Sequence, residues 1–194
     1  MRLLIAVGVC GMACGCPSSP SGTDASVDPV DAASTPPDSG TDAASAESDA
    51  GPMECNAVSN VGMLVEQMYV ATAAVTGSGG AITNGTYVLT AAAAYTGPGG
   101  STGPTGATLV DTIVLADGGS YERVFTVMNA PGPDGTFHAN GTYTTDGASI
   151  DVVQTCPAGA QPFTSYDSDG TVLRIYAPAA SALEPGVMFE YTRR

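Results

Sequence analysis

Apolar and polar residues alternate along most of the chain beyond residue 53, and a period of two is the signature of a strand whose faces meet unlike surroundings. In Thr86–Tyr95 one face carries Tyr87, Leu89, Ala91, Ala93 and Tyr95, and the other carries Thr86, Val88 and Thr90. The alanine run is read as strand because β-branched and aromatic residues flank it and Asn84-Gly85 and Gly97-Pro98 break the chain on either side. Further strand-like runs are Thr108–Leu115, Tyr121–Val127, Thr136–Thr144, Ile150–Cys156, Phe163–Tyr166, Val172–Tyr176 and Val187–Tyr191, with a less regular one in Val61–Thr72. Tyr121, Arg123, Phe125 and Val127 share one side of their strand; Phe137, Ala139, Gly141 and Tyr143 share one side of theirs.

The joints set the topology. Asp117-Gly118, Asp134-Gly135, Asp146-Gly147 and Asp169-Gly170 each separate two such runs, and Asp-Gly suits the positive φ angles of a tight hairpin. Strands joined by hairpins make an antiparallel meander, without the helices that parallel crossovers need. The spacing predicts an all-β domain of about eight or nine strands that closes into an up-and-down barrel, with a two-sheet sandwich as the alternative. Glycines at 97, 100, 103 and 106 recur every third residue, but so short a run cannot hold a collagen helix and reads as a loop between strands.

Before residue 53 the pattern is different. Residues 17–52 hold seven acids, no base, no aromatic, and only Val27 and Val30 as larger apolar residues. Such a stretch cannot bury enough surface to offset chain entropy and is expected to be a disordered, extended linker. Ahead of it, Met1-Arg2, the apolar run Leu3–Val9 and small residues to Cys16 have the layout of a secretory signal, too short for a permanent membrane span. Ala13-Cys14-Gly15-Cys16 resembles a bacterial lipoprotein signal, in which cleavage leaves a lipidated cysteine as the new N-terminus. Cys14 and Cys16 are the two possible sites. Lipidation of Cys16 leaves Cys55 and Cys156 as an even pair for an oxidising compartment, whereas lipidation of Cys14 strands Cys16 as an odd thiol; Cys16 is preferred. The chain thus divides into a signal (1–16), a tether (17–52) and a β domain (53–194), with a membrane as partner through its lipid anchor.

Composition narrows the function. Lys and Arg total 5 against 19 acids, giving a formal net charge of −14, so no basic stripe for nucleic acid can form. His138 is the only histidine and lies on the polar face of its run, as a surface residue would; no metal site, cofactor motif or nucleophile with its base is legible. Asp167-Ser168-Asp169-Gly170 matches the opening of a calcium loop without its closing glutamate, and reads as a hairpin turn. Asp111, Glu122 and Glu190 lie within strands, where most acids of an acidic domain are solvated; no catalytic residue is assigned.

Asn84-Gly85-Thr86-Tyr87 at the first clear strand, the repeated Asp-Gly hairpins and Arg193-Arg194 after the last strand resemble a lipocalin-type barrel. Lipocalins open with Gly-x-Trp and set that ring against an arginine of the final strand; here Tyr87 stands in the ring's place. The resemblance implies a cavity for a small hydrophobic ligand, for which Tyr87, Tyr95, Phe125, Phe137 and Tyr143 are the candidate lining. The competing expectation is a filled core and an interaction module that meets an envelope protein through its loops. An interior without a pocket of about 300 Å³ would disfavour a carried ligand.

Overall fold

The computed structural model describes residues 55–130, 134–179 and 185–194. The expected signal, Cys16 and the acidic tether lie outside the described residues. Those described form eleven strands of one sheet: β1 (Val65–Val70), β2 (Gly79–Gly80), β3 (Gly85–Tyr95), β4 (Gly103–Ala116), β5 (Ser120–Met128), β6 (Gly135–Asp146), β7 (Ser149–Cys156), β8 (Ala158–Ala160), β9 (Ser165–Ser168), β10 (Val172–Ala177) and β11 (Gly186–Arg193). No α-helix occurs among the described residues.

The sheet closes on itself. β3 through β7 form a continuous antiparallel meander, and β9, β10 and β11 continue it back to β3. The seam is the pairing of Ser149 with Ser165 between β7 and β9, flanked by Ile150 N–H to Thr164 O at 3.2 Å and Tyr166 N–H to Ala148 O at 3.1 Å. The all-β meander and its closure are therefore as the periodicity predicts, in one sheet rather than two. Each Asp-Gly dipeptide falls where two ring strands meet: Gly118, Gly147 and Gly170 take φ of 76°, 58° and 87° in their turns, while Gly135 opens β6.

Pairing differs from a simple meander at β1. β3 meets β4 only over Gly85–Val88 and Thr112–Leu115; beyond that the two long strands splay. β1 fills the split, parallel to β3 (Gln67 beside Ala92) and antiparallel to β4 (Val65 beside Leu109), and makes the ring nine strands around. Periodicity identifies a strand but not its neighbour. The same wedge overturns part of the glycine-rich loop: Gly103-Pro104-Thr105-Gly106 begins β4, with Pro104, which lacks an N–H to offer, opposite Met68 of β1.

A second departure is one residue wide. Across from β11, Leu89 pairs with Tyr191 and Ala91 with Glu190, which leaves Thr90 unopposed as a bulge. The bulge reverses the phase of β3. Tyr87 and Leu89 point into the core and Ala92 joins them, so Ala93 and Tyr95 turn to the outer face instead of sharing Tyr87's side.

Residues 55–62 cross the outer face of β4, β5 and β6 as a strap. The Cys55 and Cys156 sulfurs are bonded at 2.11 Å across a sequence separation of 101. Asn56 Nδ2 donates to the carbonyls of Arg123 (3.1 Å) and Ala139 (2.7 Å), and Asn60 Nδ2 donates to Val110 O (3.3 Å) and Thr126 Oγ1 (2.9 Å). Thr112, buried beneath, donates to Asn60 Oδ1 at 3.1 Å and accepts from the Val61 N–H at 3.1 Å. His138, expected at the surface, is half-buried with Nδ1 3.1 Å from Asn56 Oδ1, because the strap lies over its strand.

Closing a loop of that length removes unfolded-chain entropy worth about 4–5 kcal/mol in the chain-entropy account. The double variant Cys55→Ser/Cys156→Ser is expected to lose about 2–5 kcal/mol in urea unfolding of the oxidised protein. Reducing agent then shifts the wild-type midpoint but leaves the variant's unmoved.

Candidate functional site

Alternation along neighbouring strands sends Leu109, Asp111, Ile113 and Leu115 of β4 and Tyr121, Arg123, Phe125 and Val127 of β5 into the ring. In register Asp111 faces Phe125 and Arg123 faces Ile113, so carboxylate and guanidinium are diagonal neighbours within reach of long side chains. Arg123 Nε lies 3.1 and 3.0 Å from the two Asp111 oxygens, and its terminal nitrogen donates to Oδ2 at 2.6 Å. From β11 the Tyr191 hydroxyl donates to the same Oδ2 at 2.7 Å. Asp111 is 0% exposed, contrary to the expectation that strand acids are solvated.

Surroundings hold the charges in place. The guanidinium carbon sits 4.8 Å over the Phe125 ring and 5.7 Å over Phe163, and Phe189 meets both rings edge-on at 6.4 and 6.0 Å. Burial works against the Arg123 charge, yet the adjacent Asp111 carboxylate outweighs it and the guanidinium binds its proton more tightly than in water. Burial, reinforced by the same carboxylate, pushes the Tyr191 phenol well above its ordinary range. Tyr191 is therefore a permanent donor at neutral pH.

Beside this network lies a partly open pocket of about 50 Å³. Its walls are mostly apolar (Ile113, Leu115, Ile150, Val152, Leu173 and Ile175 among them), and Arg123 and Tyr121 also border it. Gln154 and Gln161 border it and bond to each other. Tyr121 is 7% exposed, and its hydroxyl is the one buried side-chain oxygen or nitrogen among the described residues without a hydrogen-bond partner.

Of the five residues expected to line a ligand cavity, Tyr143 borders this pocket. Tyr87 is fully buried in the core and donates to Thr83 O at 2.7 Å; Phe125 lies under the Arg123 guanidinium. Phe137 is 40% exposed. Tyr95, turned outward by the bulge, shares the outer face with Arg174, Asp167 and Tyr176. The phase flip and the end-on position of Phe137 are why one continuous aromatic lining does not form. Tyr87 and Arg193 are direct partners across β3 and β11, and a Cβ on Gly85 would lie 2.8 Å from Arg193 Nε, so glycine makes room for that arginine.

The strand acids do not converge. Asp111 is interior, Glu122 is exposed, and Glu190 holds Arg174 at 2.7 Å on the outside. Asp169 spends its Oδ1 on the backbone N–H groups of Thr171 (2.8 Å) and Val172 (2.7 Å), whose bonds hold its carboxyl below the usual range, as a hairpin turn requires. Outside, where β1 diverges from β3, a depression of about 500 Å³ opens between Gly62–Glu66 and Val88–Ala92. Leu89–Ala91 have no partner strand on that side, and Met63 (80% exposed) and Leu64 (62%) stand over it.

The residues that the periodicity left unassigned are Asp111, Tyr191 and Tyr121. A signal for the first was present: Asp111 shares the apolar face of Leu109, Ile113 and Leu115, just as Arg123 shares that of Tyr121 and Phe125. Opposite charges on the apolar faces of adjacent strands announce an interior ion pair.

Two outcomes follow from these interactions. Asp111→Ala leaves a buried guanidinium unpaired and is expected to cost about 3–5 kcal/mol in chemical denaturation, whereas the double replacement Asp111→Leu/Arg123→Met recovers most of it. For pH, folding raises the phenol pKa of Tyr87, Tyr95, Tyr121, Tyr143, Tyr176 and Tyr191, with burial the leading cause in each. A raised folded-state pKa stabilises the fold below the unfolded value of about 10 and loses that contribution as pH rises beyond it. Melting temperature is therefore expected to fall above pH ~10, with tyrosinate absorbance appearing together with unfolding rather than before it.

The chain matches no protein-family model, no curated protein and no solved structure.

Proposed function

We propose that this is an exported, lipid-anchored protein of the bacterial cell envelope whose closed β domain meets a protein partner through its outer surface instead of carrying a ligand inside. The observation that carries the reading is the small size of the pocket bordered by Arg123, Tyr121 and Tyr143, about 50 Å³, far below the roughly 300–1,000 Å³ of pockets that hold drug-sized ligands. The interior of the ring is occupied by Leu109, Ile113, the phenylalanine cluster and the Asp111–Arg123–Tyr191 network. Apolar side chains are instead on offer outside, where Val61, Met63, Leu64 and Met68 are exposed on the strap and β1. The three-residue gap beside β3 adds backbone groups that an extended segment of a partner can use.

Anchoring rests on Ala13-Cys14-Gly15-Cys16, with Cys16 as the lipid-bearing residue and residues 17–52 as the spacer that lifts the domain from the membrane. The lipocalin resemblance rests on the sequence phrases alone and lends this reading no cargo.

Mass spectrometry of the protein purified from membranes tests the reading. The expected mass begins at an acylated Cys16, shifts to a soluble form in Cys16→Ser, and brings no stoichiometric lipid-sized ligand in an organic extract. Met63→Asp/Leu64→Asp is expected to leave melting unchanged and to lower cross-linking of this face to envelope proteins at least several-fold. A co-purifying hydrophobic molecule of drug size inside the folded domain would overturn the reading.

A further inference from the structure

We infer that the partner of the strap face is a second copy of this chain, held by a two-fold contact in which Arg194 of each copy meets the partner's Glu66 across the exposed Met63, Leu64 and Met68. The inference rests on the surface reading above and names the partner of that face.

The charges single out the patch. Among the described residues Arg123 holds Asp111 inside the ring and Arg174 holds Glu190 outside it, whereas Arg193 and Arg194 hold no carboxylate. Arg194 borders the open depression beside β3. So does Glu66, which is exposed and has no ion-pair partner among the described residues. One apolar patch on an acidic chain therefore carries a cation and an anion that the domain itself leaves unanswered.

Their placement makes the patch complementary to itself. The Arg194 N–H donates to Thr86 O at 2.9 Å, which fixes Arg194 at the level of Thr86 on β3. Glu66 precedes Gln67, the neighbour of Ala92, and so lies at the level of Ala91. The stretch of β3 from Thr86 to Ala91 separates the two, about 16 Å at the rise of a strand. Val88–Thr90 lie between them, with Met63 and Leu64 standing over the depression and Met68 on the outward face of β1 with Glu66. A two-fold axis in the plane of the patch, crossing the Arg194–Glu66 line at its midpoint and at right angles, exchanges its ends. Both ion pairs then form at once, and Met63 and Leu64 of each copy enter the partner's depression. A partner surface of one charge sign answers one end only.

The apolar side chains supply the affinity and the charges set the register. Unbranched methionines fit themselves to the opposing surface without any movement of the ring. Elsewhere two copies with a formal net charge of −14 each repel one another, so contact is confined to the place where unlike charges meet.

Reciprocal charge reversal tests the inference. Two differently tagged copies of the full chain, expressed together, are expected to co-purify and to sediment as a pair at high concentration. Arg194→Glu or Glu66→Arg as the sole chain sets two like-charge contacts face to face and should weaken association about tenfold or more. The double variant Glu66→Arg/Arg194→Glu should restore it. A mixture of the two single variants should associate as well, because every contact between unlike chains again joins opposite charges. Met63→Asp/Leu64→Asp should abolish association, and all these variants should melt as wild type does, since each replaced residue is exposed. A chain that stays monomeric, single reversals without effect, or a double variant and a mixture that both fail to associate would each overturn the inference. Should the copies stay apart while Met63→Asp/Leu64→Asp still loses cross-links to other envelope proteins, the surface reading stands and the second copy does not. Should neither be seen, both fall.

Discussion

Closure of the sheet governs everything else in this molecule. Once β11 returns to β3 and β7 meets β9, every second side chain of eight antiparallel strands and the wedge β1 faces one shared interior, and each ring strand has a neighbour on both sides, with the Leu89–Ala91 stretch of β3 left open. What stands at an inward position must then be buried whether or not it is apolar. Pairing is long between β4 and β5, from Thr108–Met128 to Ala116–Ser120, and short at the seam, where one residue pair and two flanking hydrogen bonds complete the ring.

The Asp111–Arg123–Tyr191 network follows from that constraint. A one-residue slip of β5 against β4 would turn Arg123 outward and leave Asp111 inside without its countercharge. The native register alone places the two diagonally, with Tyr191 arriving from β11 on the other side of the ring. An ion pair in an apolar interior adds little net stability over well-packed aliphatic residues, but its disruption is expensive. Here it penalises the nearest misfolded alternatives and ties β4, β5 and β11 to a common alignment.

Period-two alternation and the Asp-Gly joints made nearly the whole ring legible from the chain alone: nine runs, nine ring strands, and hairpin turns at Gly118, Gly147 and Gly170. Two features were hidden for a physical reason. β1 lies parallel to β3 because β3 and β4 splay, and splaying is a property of two strands together rather than of either sequence. The Thr90 bulge depends on how β11 pairs with β3, and it moved Tyr95 from the interior to the outside. The site was less legible. Side-chain periodicity placed Arg123 among inward residues, yet the polarity of the interior emerged only once Asp111 was read on the same terms as its apolar neighbours rather than as a typical surface acid.

The strap shows how the inside and the outside divide their tasks. Asn56 and Asn60 draw on carbonyls of the very strands whose inner faces carry Asp111 and Arg123, so the segment that leads away from the described domain is bonded to its most tightly specified part. The disulfide fixes one end of that strap at β7, and the exposed Val61, Met63 and Leu64 follow at the other. Apolar side chains that stay outside a sheet with so little interior room cannot be moved inward without displacing the aromatic cluster or the ion pair. They remain at the surface because the closed core has no place for them, and any partner that covers them gains their burial without altering the ring.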